Sequence, residues 1–391
     1  MEKRLEYIDK TILYSLMAFA VFSFFSISLT QISCGIGGLA WMYKCQLTGA
    51  WKEQNLPLKL PFLLFVAACI AAVAGSVDIE SSYKSLKRLL EILIFFWAVN
   101  CIESEEQRER LILLLIASAS LSTLTGFYSA WKTGITILAR VEGTMSVYMT
   151  YAGLLMLALL VVLGKLLFEK SKWRYWLWGG VALMTACLLL TYTRQAWLGV
   201  MAGLVFLIWN RKKVLLWFLP VFMALLFVVS PDHVKNRMRS LVDLQDGNLA
   251  ARIALWKGGW LVFKDHPVIG CGFKCIDAVN HKYPDPTGYI KKLRGLHNNF
   301  VQLAVDTGIL GLGSWISVWV LYFLTLYRRR LLMEGNPRLY GCMMGSSAAV
   351  FGFLIAGVFE TNFYDAEVSM ALYFIMALPF TCSQKPANMR A

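Results

Sequence analysis

YMTYAGLLMLALLVVLGKL, residues 148–166, is apolar almost throughout and carries a single charge, Lys165, near its end. A helix that crosses the hydrocarbon layer of a bilayer needs about 20 such residues. Eleven further apolar runs stand near 12–28, 30–46, 60–75, 88–101, 111–128, 175–192, 196–210, 214–230, 298–325, 339–359 and 364–381. The first two nearly adjoin and 88–101 is short, so ten or eleven spans stand as alternatives to twelve. The whole chain of 391 residues is 58% hydrophobic and only 16% charged, with a mean hydropathy of +0.57. A water-soluble fold of this length has no use for so many long apolar runs. The expected fold is therefore an all-α, polytopic membrane bundle of about 12 transmembrane helices. The first run follows Met-Glu-Lys-Arg and ends without a small-residue cleavage site, so it reads as a retained helix.

Basic residues give the orientation. With twelve spans both termini lie on one side, and the short segments on that side hold 21 of the 38 Lys and Arg. Outside one long loop, the opposite side holds six: Lys84, Lys87, Arg88, Lys132, Arg140 and Arg194. Short basic loops stay in the cytoplasm, which makes both termini cytoplasmic and the long loop extracytoplasmic. Three regions follow: helices 1–9 over residues 1–230, the loop over 231–297, and helices 10–12 with a cytoplasmic tail over 298–391. The loop contains all four histidines, His233, His266, His281 and His297. Its apolar and aromatic stretch Ala250–Val262 reads as an amphipathic helix at the membrane interface. The part from Gly270 to Gly295, with its Gly, Pro and Tyr, reads as irregular. Most cysteines fall in apolar runs and act as small hydrophobes, but Cys271 and Cys275 stand in the loop at a spacing open to a disulfide.

Several chemistries lack their marks. The chain has no P-loop, no Rossmann glycine fingerprint, no GxSxG elbow and no HExxH. No Cys and His pattern suggests zinc, no cofactor is implied, and the basic excess follows topology and calls for no nucleic acid. The informative stretch is Leu296-His297-Asn298-Asn299-Phe300, followed by Asp306-Thr307-Gly308-Ile309-Leu310-Gly311. A neutral His297 at the mouth of a spanning helix could take a proton from a hydroxyl near pH 7. The bland alternative is a backbone-bonded His beside Asn298 as helix cap.

His297-Asn298, nine residues and then Gly308-x-x-Gly311 resembles the signature of O-antigen ligases and related Wzy-type polymerases. Ala251-Arg252-Ile253-Ala254-Leu255-Trp256 and Lys264-Asp265-His266-Pro267-Val268-Ile269-Gly270-Cys271-Gly272 resemble the same superfamily upstream. So do Thr191-Tyr192-Thr193-Arg194-Gln195-Ala196-Trp197 and Phe359-Glu360-Thr361. The resemblance covers roughly residues 190–370, and the first half agrees mainly in helix number and spacing. In one respect it departs: Ser314 follows Gly311 after two residues, where small hydroxyl residues often follow directly.

The resemblance implies an inverting, metal-independent transfer of a glycan from undecaprenyl diphosphate to the sugar of a lipid A-core acceptor. It also implies a bacterial inner membrane, with the active site facing the periplasm. A departing diphosphate gathers negative charge, which guanidinium forks hold bidentately. Arg194 and Arg252 fit that clamp, and His297 would activate the acceptor hydroxyl. Arg194 could equally snorkel to the interface, and Arg252 could bind lipid headgroups. Arg140, Arg88, Lys274, Asn298 and Asp365 complete the candidate substrate-binding set. Asp365-Ala366-Glu367 looks like a metal pair, but carboxylates two apart on a helix do not face each other, so a cap or an arginine bond is the simpler reading. Lys291, Lys292 and Arg294 supply field, and Glu360 and Asp365 stand where they could orient His297. A polymerase that joins lipid-linked repeats is the alternative enzyme. A non-enzymatic transporter is the alternative of another class, disfavoured because Glu91 reads as the one acid well inside a span.

Overall fold

The computed structural model describes residues 1–134, 140–230, 232–239, 247–283, 288–289 and 295–382. Among them the chain is helical, with no strand. The helices are α1 (Glu2–Phe22), α2 (Ile27–Thr48), α3 (Lys59–Ala74), α4 (Ile79–Ser85), α5 (Ile92–Cys101), α6 (Glu105–Thr133), α7 (Tyr148–Phe168) and α8 (Arg174–Leu190). They continue as α9 (Arg194–Arg211), α10 (Leu219–Val229), α11 (Asp232–Arg239), α12 (Gly247–Asp265), α13 (Cys275–Val279), α14 (Asn299–Glu334), α15 (Pro337–Ala356) and α16 (Ala366–Ala377).

Helix occupies all twelve apolar runs, although the run at 88–101 starts as a 3-10 turn, Leu86–Glu91, and that at 214–230 as another, Lys213–Phe218. Among the described residues, α6, α7, α14 and α15 are long and apolar enough to cross a bilayer. Apolar helices α3 and α8 and the stretch Ala366–Phe380 are shorter. The outer faces carry exposed large apolar side chains, among them Leu39, Leu60, Leu121, Trp176 and Leu332, as expected of a surface turned to lipid.

The centre is α7, buried on every side from Thr150 to Leu166, which is how an all-round apolar helix should sit. Its neighbours α15 and α9 approach through glycines. A Cβ on Gly164 would lie 2.2 Å from Gly345 Cα, and one on Gly199 2.7 Å from Gly352 O. Lipid tails are as apolar as leucine, so such helices gain by close van der Waals approach, and small residues permit it.

Ion pairs tie one end of the bundle. Lys44 Nζ meets Asp9 at 2.6 Å and Glu103 at 3.3 Å, and buried Lys165 meets Glu109 at 2.5 Å and Glu169 at 2.6 Å. The other end gathers the starts of α7, α9, α14 and α16, the ends of α3, α8 and α15, and the loop with α12 and α13. That loop is not merely a solvated strap. Leu255, Val262, Cys271, Cys275, Ile276, Val279, Leu296 and Val305 form a small second core. Helix α12 covers the predicted Ala250–Val262; Ala251, Leu255 and Val262 pack inward, while Ile253, Trp260 and Leu261 stand exposed. Cys271 and Cys275 are joined as a disulfide, with Cα atoms 5.7 Å apart.

The run at 298–325 is not one straight helix. Gly308 has φ 63° and ψ −166°, which breaks α14 after its second turn. Its freed backbone groups bond to the loop: Ile309 N donates to Pro267 O at 2.9 Å, Cys271 N to Val305 O at 2.9 Å and Gly272 N to Asp306 O at 3.0 Å. Two chains cross backbone on backbone here. A Cβ on Gly308 would lie 2.3 Å from Val268 O, and one on Gly270 2.4 Å from the Asp306 carbonyl carbon.

Candidate active site

His297 is clamped from both sides in sequence. Asn298 caps α14, its Oδ1 accepting from Phe300 N at 2.8 Å and Val301 N at 3.1 Å. Before it, Leu296 N donates to Gln302 Oε1 at 3.0 Å, and Leu296 O accepts from Trp256 Nε1 of α12 at 3.0 Å. Between these clamps His297 adopts a left-handed backbone, φ 46°. Such a conformation costs a non-glycine residue about 1–3 kcal/mol and gathers at functional sites. Tyr192, two residues before Arg194, has φ 51° in the α8–α9 junction.

His297 Nδ1 lies 2.9 Å from Glu360 Oε1. The segment that carries Glu360 is tied to the start of α14: Asn299 N donates to Gly357 O at 2.7 Å, Asn299 Nδ2 to Asn362 Oδ1 at 2.6 Å, and Phe363 N to Asn299 Oδ1 at 3.1 Å. Glu360 Oε1 also accepts from Thr361 N at 3.0 Å, and Oε2 from Gln195 Nε2 of α9 at 3.4 Å. Burial by itself would raise the Glu360 pKa. The His297 bond and charge, the Thr361 N–H and the Arg252 guanidinium outweigh it and hold the carboxyl below its ordinary value. An ionised Glu360 can only accept, so a proton stands on Nδ1, and in the neutral tautomer that this bond selects the lone pair is on Nε2. His297 is part-exposed, so in that tautomer Nε2 could accept a proton from a hydroxyl.

The sequence candidates fall into three groups. His297 and Arg252 meet at Glu360, and Arg194 is buried at the start of α9 beside Gln195, which bonds that carboxyl. A second group lies beside it. Asp365 accepts from Thr150 Oγ1 of α7 at 3.2 Å, and burial, helped by the Glu360 charge, pushes its carboxyl up to about 7. Arg88 lies over the Tyr364 ring, 5.3 Å from its centre, and acts electrostatically on Asp365, Asp306 and Glu91. Its Nη1 is buried with no hydrogen-bond partner among the described residues. Arg140 stacks on Tyr148 at the start of α7, 4.5 Å from the ring centre.

The third group stands apart. Asn298 is occupied as the cap. Lys274 is exposed at the head of α13, and among the described residues no contact joins it to His297. His266 ends α12, its N–H bonded to Val262 O at 3.2 Å, and His281 is exposed. Lys291, Lys292, Arg294 and the side chain of His233 lie outside the described residues.

Asp306 corrects the expectation that Glu91 is the one acid well inside a span. It is fully buried in α14, accepting from Tyr364 Oη at 2.6 Å and Gln302 Nε2 at 3.0 Å. Gln302 in turn holds Leu296, so a polar chain runs from Tyr364 beneath Arg88 to the residue before His297.

Residues 179–316 match the family model described as O-antigen ligase. Over that segment the match supports a kinship with the O-antigen ligase and Wzy superfamily. No curated protein matches the chain. The matched segment runs from α8 into α14 and contains Arg194, Arg252, Lys274, His297 and Asn298. Glu360, Asp365 and Arg88 come from outside it, from the segment between α15 and α16 and the turn before α5, and Arg140 lies outside it before α7.

Proposed function

We propose that the protein is an O-antigen ligase-like glycosyltransferase of the bacterial inner membrane, with its site facing the periplasm. Its donor is a glycan on undecaprenyl diphosphate and its acceptor a hydroxyl of the lipid A-core sugar. The observation that carries the reading is the His297–Glu360 pair at 2.9 Å, formed between the family-matched segment and the segment before α16, with Arg252 acting on it.

In this reading His297 Nε2 takes the proton of the acceptor hydroxyl, whose oxygen attacks the anomeric carbon of the donor. The bond from that carbon to the diphosphate breaks, the electron pair leaves with the diphosphate, and the anomeric configuration inverts. Arg194 and Arg252 bind the oxygens on which charge grows, where such stabilisation is often the largest catalytic term. Arg88 offers a buried N–H without a partner, suited to another phosphate oxygen. Nothing in these steps asks for a metal. Asp365 and Arg140 line the acceptor side, and Lys274 adds field to the approach.

The twelve helical runs, the basic end held by Lys44 and Lys165, and the site at the opposite end support twelve spans with cytoplasmic termini. Residues 231–297 then form a periplasmic cap between two transmembrane sets, 1–230 and 298–391. The test is the product. Liposomes loaded with protein, undecaprenyl-diphosphate glycan and lipid A-core should yield glycosylated lipid A-core in the presence of a chelator. Lengthening of the donor on its own carrier would make the protein a polymerase, and translocation without transfer would make it a transporter.

A further inference from the structure

At the end of the bundle opposite His297, α6 and α8 part and leave a cleft of about 1090 Å³. Its walls are apolar and open: Leu121 and Leu124 of α6 are exposed, as is Leu183 of α8. Gly179 leaves the mouth clear, since a Cβ there would meet nothing within 4 Å.

The rim is cationic. Arg110, Lys170, Lys172 and Arg338 line it. Arg110, Lys170 and Arg338 are exposed, and none makes an ion pair or hydrogen bond through its side chain among the described residues. The rim acids Glu109 and Glu169 are both held by Lys165, which leaves Glu106 as the acid outside an ion pair. Trp173 and Trp176 stand exposed beside the cations, as tryptophans do at the headgroup level of a bilayer.

An open hydrocarbon trough beneath a rim with cations in excess over acids, between two helices, suits a ligand with long apolar chains and an anionic head. We propose that this cleft is a binding site for an anionic membrane phospholipid. Its phosphate rests on Arg110, Lys170 and Arg338, and an acyl chain lies along Leu121 and Leu124. A zwitterionic lipid fits the trough but leaves the rim charge unbalanced. The site lies at the end of the bundle away from His297, so it is separate from the donor site.

The test is native mass spectrometry of the full-length protein, offered equimolar phosphatidylglycerol and phosphatidylcholine with the same acyl chains. Phosphatidylglycerol should be retained at least about five-fold over phosphatidylcholine, as one engaged cation alone provides. The variant Arg110→Glu/Lys170→Glu/Arg338→Glu should bring the ratio to about one. Gly179→Trp, at a position where a Cβ meets nothing within 4 Å, puts a bulky ring at the mouth and should lower retention of both lipids, so the proposal stays testable if the charge variant misfolds. Equal retention by the wild type, an unchanged preference in the folded charge variant, or displacement of the lipid by millimolar inorganic phosphate would overturn it.

Discussion

A base that must hold its proton on one nitrogen needs a partner that can only accept, and Glu360 is that partner for His297. Glu360→Gln keeps the shape but can donate as well as accept, so the tautomer is no longer held. Transfer by that variant should fall about tenfold to a hundredfold, against about 10²–10⁴ for loss of the base itself. Steady-state transfer rates of the two variants check the order. Asp365 makes a second prediction. Its carboxyl is raised from 3.8 to about 7, first by burial and then by Glu360. An acid held above its unfolded value takes up a proton on folding inside that window, so stability falls as pH rises through it. Asp365→Asn should flatten the slope of melting temperature between about pH 4 and 7. His297 is visible in sequence because it stands where a polar loop meets an apolar run. Glu360 stands 63 residues away, and no spacing links the two. Asp306 is not legible as a buried acid, because a lone acid in an apolar run shows no partner, and Tyr364 is 58 residues on.

The crossing of α14 and the loop sets a different constraint. Gly308 lies in a backbone region open essentially to glycine alone, and the loop backbone leaves no room for a Cβ. Gly308→Ala should therefore destabilise the protein by about 3 kcal/mol or more, from strain and overpacking together. Gly313→Ala, in the same helix with open space around it, should leave the melting temperature nearly unchanged. Thermal unfolding of both in detergent compares them. Hydropathy is enough to find α14, because burial in lipid demands an unbroken apolar run. It does not reveal the break, because glycine is ordinary in spanning helices and the loop that receives the freed backbone lies some 40 residues upstream. The quoted motifs contain both Gly270 and Gly308, but only the fold shows that they meet.

Across the whole molecule, charge and glycine divide the work. Glycines pack α7 against α15, so Gly164→Leu, which would strike the Gly345 backbone, should abolish folded protein in size-exclusion profiles. Among the described residues the ion pairs of Lys44 and Lys165 stand at the end that carries the N-terminus, and the candidate site at the other. A single cysteine placed at exposed Lys274 in a cysteine-free background should react with an impermeant maleimide in intact cells freed of their outer membrane. One at exposed Lys10 should react only after lysis. The bundle is legible in composition since apolar runs have few other uses; the number of crossings is less so, because short runs such as α3 and α5 fall near the length limit. The packing order of the helices is not written in their periodicity, since a helix buried on all sides, like α7, has no polar face to read.

The most direct measurement compares wild type and His297→Ala in the same liposomes, with saturating donor and acceptor, in a single turnover. Glycosylated lipid A-core from the wild type, and a rate at least about a hundredfold lower from a variant of unchanged melting temperature, is the predicted result. Equal rates from the two proteins would contradict the account, because the His297–Glu360 pair would then be structural.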